Sequence, residues 1–404
     1  MPGPFISLHR IAVLSFVFVF LCVFIFSSTS LREGTRVVER IKESAKETAN
    51  NLCNSNQPVF GKPKLSNTFL KLFETIVYPI TERTYTNPAG RVFGVKEDAP
   101  WWKEPLKDQV LILDIDTRVP QGKNELWNTG RMDWENMNAE SDGGMVSASF
   151  MNHFLYSKIH GYDYRFFNAH EMEGMHATWV KPHALFDLLQ EYRFVIFLDA
   201  DATIQHLDLP VEWLFNRWGI TPQTSIAMPL DTRQILDGDE HASEDSKGKL
   251  VLNSGVIVAQ ALPFTFDMLT AWKECPSETR YPGCGTWKTI WSHEQKAFSE
   301  YIRYDFNPNG TNIVEIPCND AMGYPGITDH RWITSNCTGQ FIRHQTLDKA
   351  STKHSAETAM LQALSDATRK ELFREKEKYW IRETQREKEK GNEPDVVKKP
   401  KGDS

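Results

Sequence analysis

The chain has 404 residues, of which 40% are hydrophobic and 25% are charged. A chain of this length can bury a sizeable hydrophobic core, and we expect one large domain rather than two modest ones. The formal net charge of -7 excludes the excess of positive charge that attracts phosphate backbones, so we expect no nucleic acid partner.

The first predicted element is an apolar segment near the N-terminus. It runs from Ile11 to Phe26, and the uncharged residues up to Leu31 extend it to the roughly 20 residues that span a bilayer. We predict an uncleaved transmembrane signal anchor over residues 11–31, preceded by a short cytoplasmic tail, 1–10. The alternative is a cleaved signal peptide, for which Ser27-Ser28-Thr29-Ser30 would be only a weak cleavage site.

The orientation of this anchor is open from charge alone. One basic residue, Arg10, precedes it and four follow, which by the positive-inside rule would place the rest of the chain in the cytosol. Two N-glycosylation patterns, Asn309-Gly310-Thr311 and Asn336-Cys337-Thr338, favour the secretory lumen instead. We predict a single-pass type II protein whose domain is lumenal.

The cysteines permit this location without requiring it. Cys22 lies in the anchor and Cys53 in the stem, which leaves an even set of Cys275, Cys284, Cys318 and Cys337. Disulfides between Cys275 and Cys284 and between Cys318 and Cys337 would suit the lumen. Four buried free thiols are an equal alternative in a chain of this size.

Composition divides the rest of the chain into three parts. Residues 32–106 are predicted as a stem, rich in charged and polar residues, that ends in a segment on the edge of the domain. The domain itself is predicted over residues 107–355. Residues 356–404 are predicted as a charged helix and a disordered tail, to which we assign no catalytic role.

Apolar strands alternate with helices from residue 107 onward. The predicted strands are 110–115, 164–168, 194–198, 225–228 and 255–259, the predicted helices are 145–160, 178–190, 264–272 and 293–302, and 312–316 and 341–344 are predicted as extended. This alternation indicates an α/β fold with a mostly parallel, doubly wound sheet.

The predicted strand 194–198 ends in two carboxylates, Asp199 and Asp201. Parallel sheets bind ligands at the carboxyl ends of their strands, so this is an expected position for a site. Residues two apart in extended backbone point the same way, so both carboxylates can converge on one cation, and their hard oxygens suit Mg²⁺ or Mn²⁺. Such a cation can neutralise the diphosphate leaving group of a nucleotide sugar.

A second acidic triplet, Asp114-Ile115-Asp116, also follows an apolar run. It ends the first predicted strand, whose following loop usually faces a nucleotide base, so we assign Asp114 and Asp116 to donor binding and rank Asp199 and Asp201 first as metal ligands. The alternative is a metal-dependent phosphohydrolase with Asp114 as nucleophile, although no Lys-bearing second motif accompanies it.

Four sequence blocks together resemble a known family. They are Thr178-Trp179-Val180-Lys181-Pro182 with Phe197-Leu198-Asp199-Ala200-Asp201-Ala202; Leu252-Asn253-Ser254-Gly255-Val256-Ile257-Val258 with Trp272; His293-Glu294-Gln295-Lys296-Ala297-Phe298; and Phe341-Ile342-Arg343-His344. In order and spacing they resemble the core of glycosyltransferase family 34, which contains fungal Golgi galactosyl- and mannosyltransferases and plant xylosyltransferases. The resemblance covers roughly residues 110–349.

This resemblance implies a single Rossmann-like GT-A domain, a Mn²⁺ (or Mg²⁺) ion, a nucleotide-sugar donor and retention of anomeric configuration. His344 matches the late histidine that completes metal coordination by Asp199 and Asp201, and imidazole is a sensible third ligand. Lys181 is assigned to donor binding. For an isolated histidine, a structural role would be the better prediction.

The same resemblance suggests the catalytic residues. Asn253 lies in a polar turn near the sugars, and Glu294 and Gln295 begin a helix beside the transferred sugar, although the family more usually has Asp at the position of Glu294. Because Gln295 cannot be a strong nucleophile, we favour a front-face route in which Gln295 stabilises charge at the anomeric carbon and Lys349 neutralises phosphate. Trp287 and Trp291 are further candidates for stacking on sugars.

The sequence therefore predicts a metal-dependent retaining hexosyltransferase of the Golgi lumen. We expect it to move galactose or mannose from UDP-hexose or GDP-mannose to a glycan acceptor on a glycoprotein or cell-wall polymer. It would be held to the membrane by one N-terminal helix, and a transferase complex is a candidate partner. The alternatives are a family 77-like nucleotide-sugar transferase and a catalytically silent, membrane-tethered scaffold.

Overall fold

The computed structural model of the chain describes residues 67–137 and 142–381. The predicted tail (1–10), the anchor (11–31), residues 32–66 of the stem and residues 382–404 lie outside the described residues. Within the described ranges, no helix combines the length and the apolar character needed to cross a bilayer. All described residues belong to one compact unit.

Ten strands and ten α-helices make up this part of the chain. The strands are β1 (Thr84–Thr86), β2 (Val92–Gly94), β3 (Val110–Asp116), β4 (Asp163–Asn168), β5 (Phe194–Leu198), β6 (Ala202–Ile204), β7 (Ile226–Pro229), β8 (Val256–Gln260), β9 (Ile313–Ile316) and β10 (Ile342–His344). The helices are α1 (Asn67–Glu74), α2 (Asp142–His160), α3 (Val180–Leu188), α4 (Val211–Trp218), α5 (Pro263–Glu274), α6 (His293–Ala297), α7 (Arg303–Asp305), α8 (Cys318–Ala321), α9 (Ser351–Arg374) and α10 (Lys376–Tyr379).

The central sheet has six strands in the order β4-β3-β5-β8-β7-β9. Alternate residues of β3 and β5 enter two separate hydrophobic cores, one on each face: Ile112 and Ile196 belong to one, Leu113 and Phe197 to the other. A sheet that is covered on both faces requires strands that are apolar throughout, which explains the continuous hydrophobic runs in the sequence. The predicted α/β fold with a central sheet is confirmed.

The direction of one strand differs from the simplest expectation. β3 pairs in parallel with β4 and β5, and β7 with β9, but β8 runs antiparallel to both β5 and β7. A parallel connection needs a crossover, usually a helix, and residues 230–255 between β7 and β8 contain none. The sheet is therefore mixed, with five strands in one direction and β8 reversed.

The hydrophobic core extends beyond the predicted domain limits of 107 and 355. On the N-terminal side Phe73, Tyr85 and Trp102 are buried in the same core as β5. On the C-terminal side α9 contributes Ala359, Ala363 and Ala367, whose spacing of four residues forms one stripe along the helix. The segment before residue 107 and the helix after 355 therefore complete the fold around the sheet.

A second, two-stranded sheet brings distant parts of the chain together. β6 and β10 pair antiparallel, with Ile342 opposite Ile204 and His344 opposite Ala202. This register places residue 344 directly beside the end of the acidic triplet, which immediately precedes β6.

Both predicted disulfides are present, Cys275–Cys284 and Cys318–Cys337. The alternative of four free thiols is therefore wrong. The acceptor asparagines of the two glycosylation patterns, Asn309 and Asn336, are both exposed.

The role of α9 can be tested by placing a charge on its buried stripe. Ala367 has no exposed surface, so Ala367→Glu should lower the free energy of unfolding by at least about 2 kcal/mol, since overpacking and an unpaired carboxylate both act against burial. Thr368→Glu is the matched control, because Thr368 follows Ala367 directly and is exposed. This variant should change the free energy of unfolding little. Equal denaturation midpoints for the two variants would contradict this packing.

Candidate metal and donor site

The acidic triplet lies where β5 leaves the sheet. All five residues of β5 are buried, and the strand ends at Leu198, directly before the two carboxylates. The backbone N–H of Asp199 donates to the carbonyl of Gly255, which directly precedes β8 (2.8 Å), and the carbonyl of Asp199 accepts from the N–H of Ala202 (2.9 Å). This tight turn holds Asp199 and Asp201 at the carboxyl end of β5.

His344 completes a three-residue cluster with these carboxylates. Its Nε2 lies 3.0 Å from Oδ1 of Asp201 and 3.7 Å from Oδ2 of Asp199. One potential ligand atom from each of the three residues lies within 4.8 Å of the others. Two carboxylates and an imidazole form a donor set that fits Mn²⁺ or Mg²⁺, so the predicted triad is brought together.

The charges in the cluster support one another. Burial acts to lower the pKa of His344, but the adjacent Asp201 and Asp199 outweigh burial and raise it. Conversely, burial acts to raise the pKa of Asp201, but His344 and Lys349 hold that pKa below its usual range. Nζ of Lys349 lies 3.5 Å from Oδ2 of Asp201 on a side chain that is 60% exposed, so this lysine extends from the cluster into solvent.

Gly255 leaves the space that His344 occupies. A Cβ atom at residue 255 would lie 2.0 Å from Cε1 of the imidazole and 2.7 Å from Nδ1. Nδ1 itself is buried and has no hydrogen-bond partner among the described residues. The absence of a side chain on Gly255 is therefore a condition for the position of the third ligand.

Lys181 links the metal cluster to a buried polar network. Its Nζ lies 3.0 Å from Oδ1 of Asp199 and 3.4 Å from Oε1 of Glu294, and it donates to the carbonyl of Ser254 (3.2 Å). Burial opposes the charged ammonium, but the two carboxylates raise the pKa of Lys181. Lys181 therefore remains positively charged and orients Asp199.

The predicted residues Asn253, Glu294 and Gln295 come together behind Lys181. Oε1 of Gln295 accepts from the Ser254 N–H (2.9 Å), and Oε1 of Glu294 accepts from the Ser254 hydroxyl (2.7 Å). The Asn253 side chain accepts from the N–H of Gly255 (2.8 Å). Glu294 is 1% exposed, so it does not line the cleft; its carboxylate contacts Lys181 and Ser254 and positions both.

Sequence analysis missed a residue in this network, Asp231. Its Oδ2 accepts from Nε2 of Gln295 at 2.8 Å, and burial raises the pKa of this carboxyl. The available signal was an acidic residue two positions after β7, the same pattern that identified the acidic triplet after β5.

A cleft of about 410 Å³ opens beside the cluster. Its charged lining residues are Asp116, Arg118, Lys181, Asp199, Asp201 and Lys349. Asn253, Glu294 and Gln295 lie behind this lining rather than in it. The cleft thus combines the metal cluster with cations that suit a diphosphate.

The structure separates the two carboxylates of the first triplet. Asp116 lines the cleft and is held by Arg118 through Nε (2.9 Å) and Nη2 (3.0 Å). Asp114 is fully buried, and its oxygens accept from Tyr164 (2.6 Å) and face His153 (2.7 Å). Because Asp114 has no access to the cleft, the donor-binding role predicted for it and the phosphohydrolase alternative both fail.

Comparison with known proteins agrees with this geometry. Residues 131–307 match the galactosyl transferase GMA12/MNN10 family, and this range contains the acidic triplet and the Glu294–Gln295 helix start. The match covers less than half of the chain, so it shows similarity to this glycosyltransferase family over residues 131–307. The protein is therefore an enzyme that transfers glycosyl groups, as the sequence blocks predicted. No curated protein matches the chain.

Several solved structures of glycosyltransferases are similar to the chain at low identity. A glycosyltransferase involved in glycosylation of the major capsid of PBCV-1 has 12% identity, a TM-score of 0.40, and coverage of 61% of this chain and 98% of that one. Apo mouse xyloside xylosyltransferase 1 has 10% identity and a TM-score of 0.34, with coverage of 59% of this chain and 98% of that one. The galactosyltransferase LgtC in complex with donor and acceptor sugar analogs has 9% identity and a TM-score of 0.32, with coverage of 62% of this chain and 95% of that one. No substrate follows from similarity at this level.

The dependence of His344 on Gly255 is testable in the purified glycosyltransferase. Gly255→Ala should displace the imidazole and lower Mn²⁺ affinity by about 10–100-fold, the usual effect of losing support for a metal ligand. Gly94→Ala is the matched control, since a Cβ there would meet only the carbonyl of Arg83, at 3.8 Å. Isothermal titration calorimetry with MnCl₂ measures both, and unchanged affinity in Gly255→Ala would contradict the steric argument.

Proposed function

We propose that this glycosyltransferase is a metal-dependent, retaining enzyme with a GT-A domain. It would move a hexose, galactose or mannose, from UDP-hexose or GDP-mannose to a glycan of a glycoprotein or cell-wall polymer. The observation that carries the proposal is the convergence of Asp199, Asp201 and His344 beside a cleft large enough for a nucleotide sugar.

The residues in this cluster are suited to a divalent cation. Bound by Asp199, Asp201 and His344, Mn²⁺ or Mg²⁺ would neutralise charge that develops on the diphosphate as the glycosidic bond breaks. Without it, the two carboxylates would repel the donor. Lys181 preorganises Asp199 through the ion pair at 3.0 Å, and Lys349 supplies an accessible ammonium beside Asp201 for a phosphate oxygen.

The buried network favours a front-face route over a covalent intermediate. Both ends of the Gln295 amide are engaged, Oε1 by the Ser254 N–H and Nε2 by Asp231, so its orientation is set. Glu294 is tied to Ser254 and Lys181 and has no access to the cleft as a nucleophile. Gln295 does not line the cleft either, so Gln295 and Glu294 would both act as positioning residues around Ser254.

We further propose the Golgi lumen as the location, with one N-terminal membrane helix. The two disulfides suit an oxidising compartment, and the exposed Asn309 and Asn336 are accessible to glycosylation. Protein expressed in a eukaryotic host should show a mass decrease on treatment with an N-glycosidase. If the treatment changes the mass of neither the wild type nor Asn309→Gln, the result would argue against a lumenal domain.

The main alternatives differ in measurable ways. A silent scaffold would bind the donor without transfer, whereas the intact metal triad favours turnover. A family 77-like enzyme would transfer with a different donor or linkage. A screen of nucleotide sugars, with detection of released nucleotide and analysis of the linkage formed, separates these functions and identifies the sugar.

The metal dependence of transfer can be tested at Asp201. Asp201→Asn should lower kcat/KM by at least about 100-fold, because the donor loses preorganised electrostatic stabilisation. Activity of the wild type should stop in EDTA and return with MnCl₂. Asp267→Asn, on the exposed surface of α5, controls for the general loss of a carboxylate. Full activity in EDTA would overturn the proposed metal role.

A prediction about acceptor binding concerns Trp291. Trp291 is 73% exposed and its ring packs against His293 (5.9 Å), which stacks on the cleft-lining His176 (3.6 Å). Trp291 is therefore placed on the rim of the cleft, where an aromatic face can carry a sugar ring. Trp291→Ala should raise the acceptor KM about three- to tenfold, equivalent to about 1 kcal/mol, and leave the donor KM unchanged.

The control for this variant is Trp332→Ala, because Trp332 is 41% exposed and does not line the cleft. Initial rates at varied acceptor and saturating donor distinguish the variants. A rise in the donor KM alone would place Trp291 on the donor side instead.

A further inference from the structure

A second cleft lies behind the metal site, on the other side of β10. Successive side chains of a strand point to opposite faces, so Arg343 faces away from the cluster that contains His344. Arg343 lines a cavity of about 320 Å³ together with Gln205, Gln340, Thr358 and Gln362. This cavity shares no lining residue with the donor cleft.

The cleft continues past His206 into an adjoining cavity of about 230 Å³. The two cavities share Gln205, His206 and Gln362. The adjoining cavity is also lined by Asp208, Asp366 and Lys370, and none of these three lines the cavity that contains Arg343. One end of the cleft therefore carries an arginine, the other end carries two carboxylates and a lysine, and neutral amide side chains lie between them.

Arg343 has no counterion within the described residues. The guanidinium of Arg217 pairs with Asp320 (2.7 Å), and that of Arg303 pairs with Glu315 (2.7 Å). The guanidinium of Arg343 makes no ion pair or hydrogen bond with any described residue. Its Nε atom is buried without a partner. Burial lowers the pKa of Arg343 from its ordinary value, because no carboxylate compensates for the lost hydration.

An unpaired, partly buried guanidinium is costly, and proteins normally pair such a group. A bound oxyanion would compensate for this cost, since the planar fork of arginine matches phosphate and carboxylate oxygens. The remaining walls suit hydroxyl groups. Nε2 of Gln205 donates to Thr203 and Ser355, and Nε2 of Gln362 donates to Asp366. Their amide oxygens and the carboxylates of Asp208 and Asp366 can therefore accept from the hydroxyl groups of a sugar.

We propose that this cleft binds an acidic saccharide, a sugar that carries a phosphate or a carboxylate, with the anionic group on Arg343. The hydroxyl groups of the sugar contact Gln205 and Gln362 and extend toward Asp208. This site is separate from the donor cleft, so its existence does not depend on the proposed reaction.

Calorimetry on the full chain in detergent tests this proposal. Glucose 6-phosphate and glucuronate are the two acidic probes, and glucose is the neutral one. All titrations contain EDTA, so that binding through the metal cluster is suppressed. We expect saturable binding of at least one acidic probe and at least tenfold weaker binding of glucose. Binding of only the phosphate or only the carboxylate probe identifies which anion the site prefers.

Three variants assign the binding to the cleft. Arg343→Gln should lower the affinity at least tenfold, and Arg331→Gln should leave it unchanged, since Arg331 is exposed and has no partner among the described residues. Thr358→Glu, at an exposed position of α9, places a competing carboxylate in the cleft and should also weaken binding. It remains informative if Arg343→Gln is poorly folded.

Two results would overturn the proposal. The first is no saturable binding of either acidic probe to the wild type. The second is equal affinity of the wild type and Thr358→Glu, or of the wild type and folded Arg343→Gln, because binding would then occur elsewhere. Activity is not a readout, so failure of this proposal and failure of the proposed transfer are distinguishable.

Discussion

The antiparallel pairing of β6 with β10 is the contact on which the site depends. His344 and Asp201 are 143 residues apart in the chain, yet the opposition of His344 and Ala202 sets their side chains 3.0 Å apart. The backbone strengthens this arrangement, since the N–H of Gln345 donates to the carbonyl of Asp201 (2.9 Å). A shift of one residue in this register would replace the imidazole by a neighbouring side chain.

The charged groups around this pairing tolerate burial because each has a partner. Lys181 lies between Asp199 and Glu294, Asp201 lies between His344 and Lys349, and Ser254 connects Glu294 to Gln295. A buried charge without a partner costs far more than a paired one, so removal of one member affects the others. The network therefore keeps the acidic triplet rigid before the donor binds, which is how electrostatic catalysis avoids reorganisation.

The two faces of β10 have opposite electrostatic character. One face presents His344 to carboxylates, where the positive charge of the imidazole is compensated. The other presents Arg343 to amides and hydroxyl groups, where its charge is not compensated by any described residue. A three-residue strand thus separates a site that suits a cation from one that suits an anion. β6 lies beside this strand, and its Thr203 is paired with Arg343 in the ladder.

Sequence patterns alone determined the central strands and the acidic pair. The continuous apolar runs of β3 and β5 required a sheet buried on both faces, and Asp199 and Asp201 at the end of such a run indicated a site. Family resemblance added His344, Glu294 and Gln295. These signals are local, because strand periodicity and the residues at strand ends are visible within a few positions.

Only the tertiary structure decided the rest. The reversal of β8, the burial of Asp114 against His153 and Tyr164, the place of Asp231 beside Gln295 and the space that Gly255 leaves for His344 all depend on contacts between residues far apart in sequence. Two acidic triplets with the same local pattern differ because the packing around them differs. Asp114 of the first is enclosed by His153 and Tyr164, whereas both carboxylates of the second line the cleft. Composition and periodicity do not indicate which distant residues the fold will bring into contact.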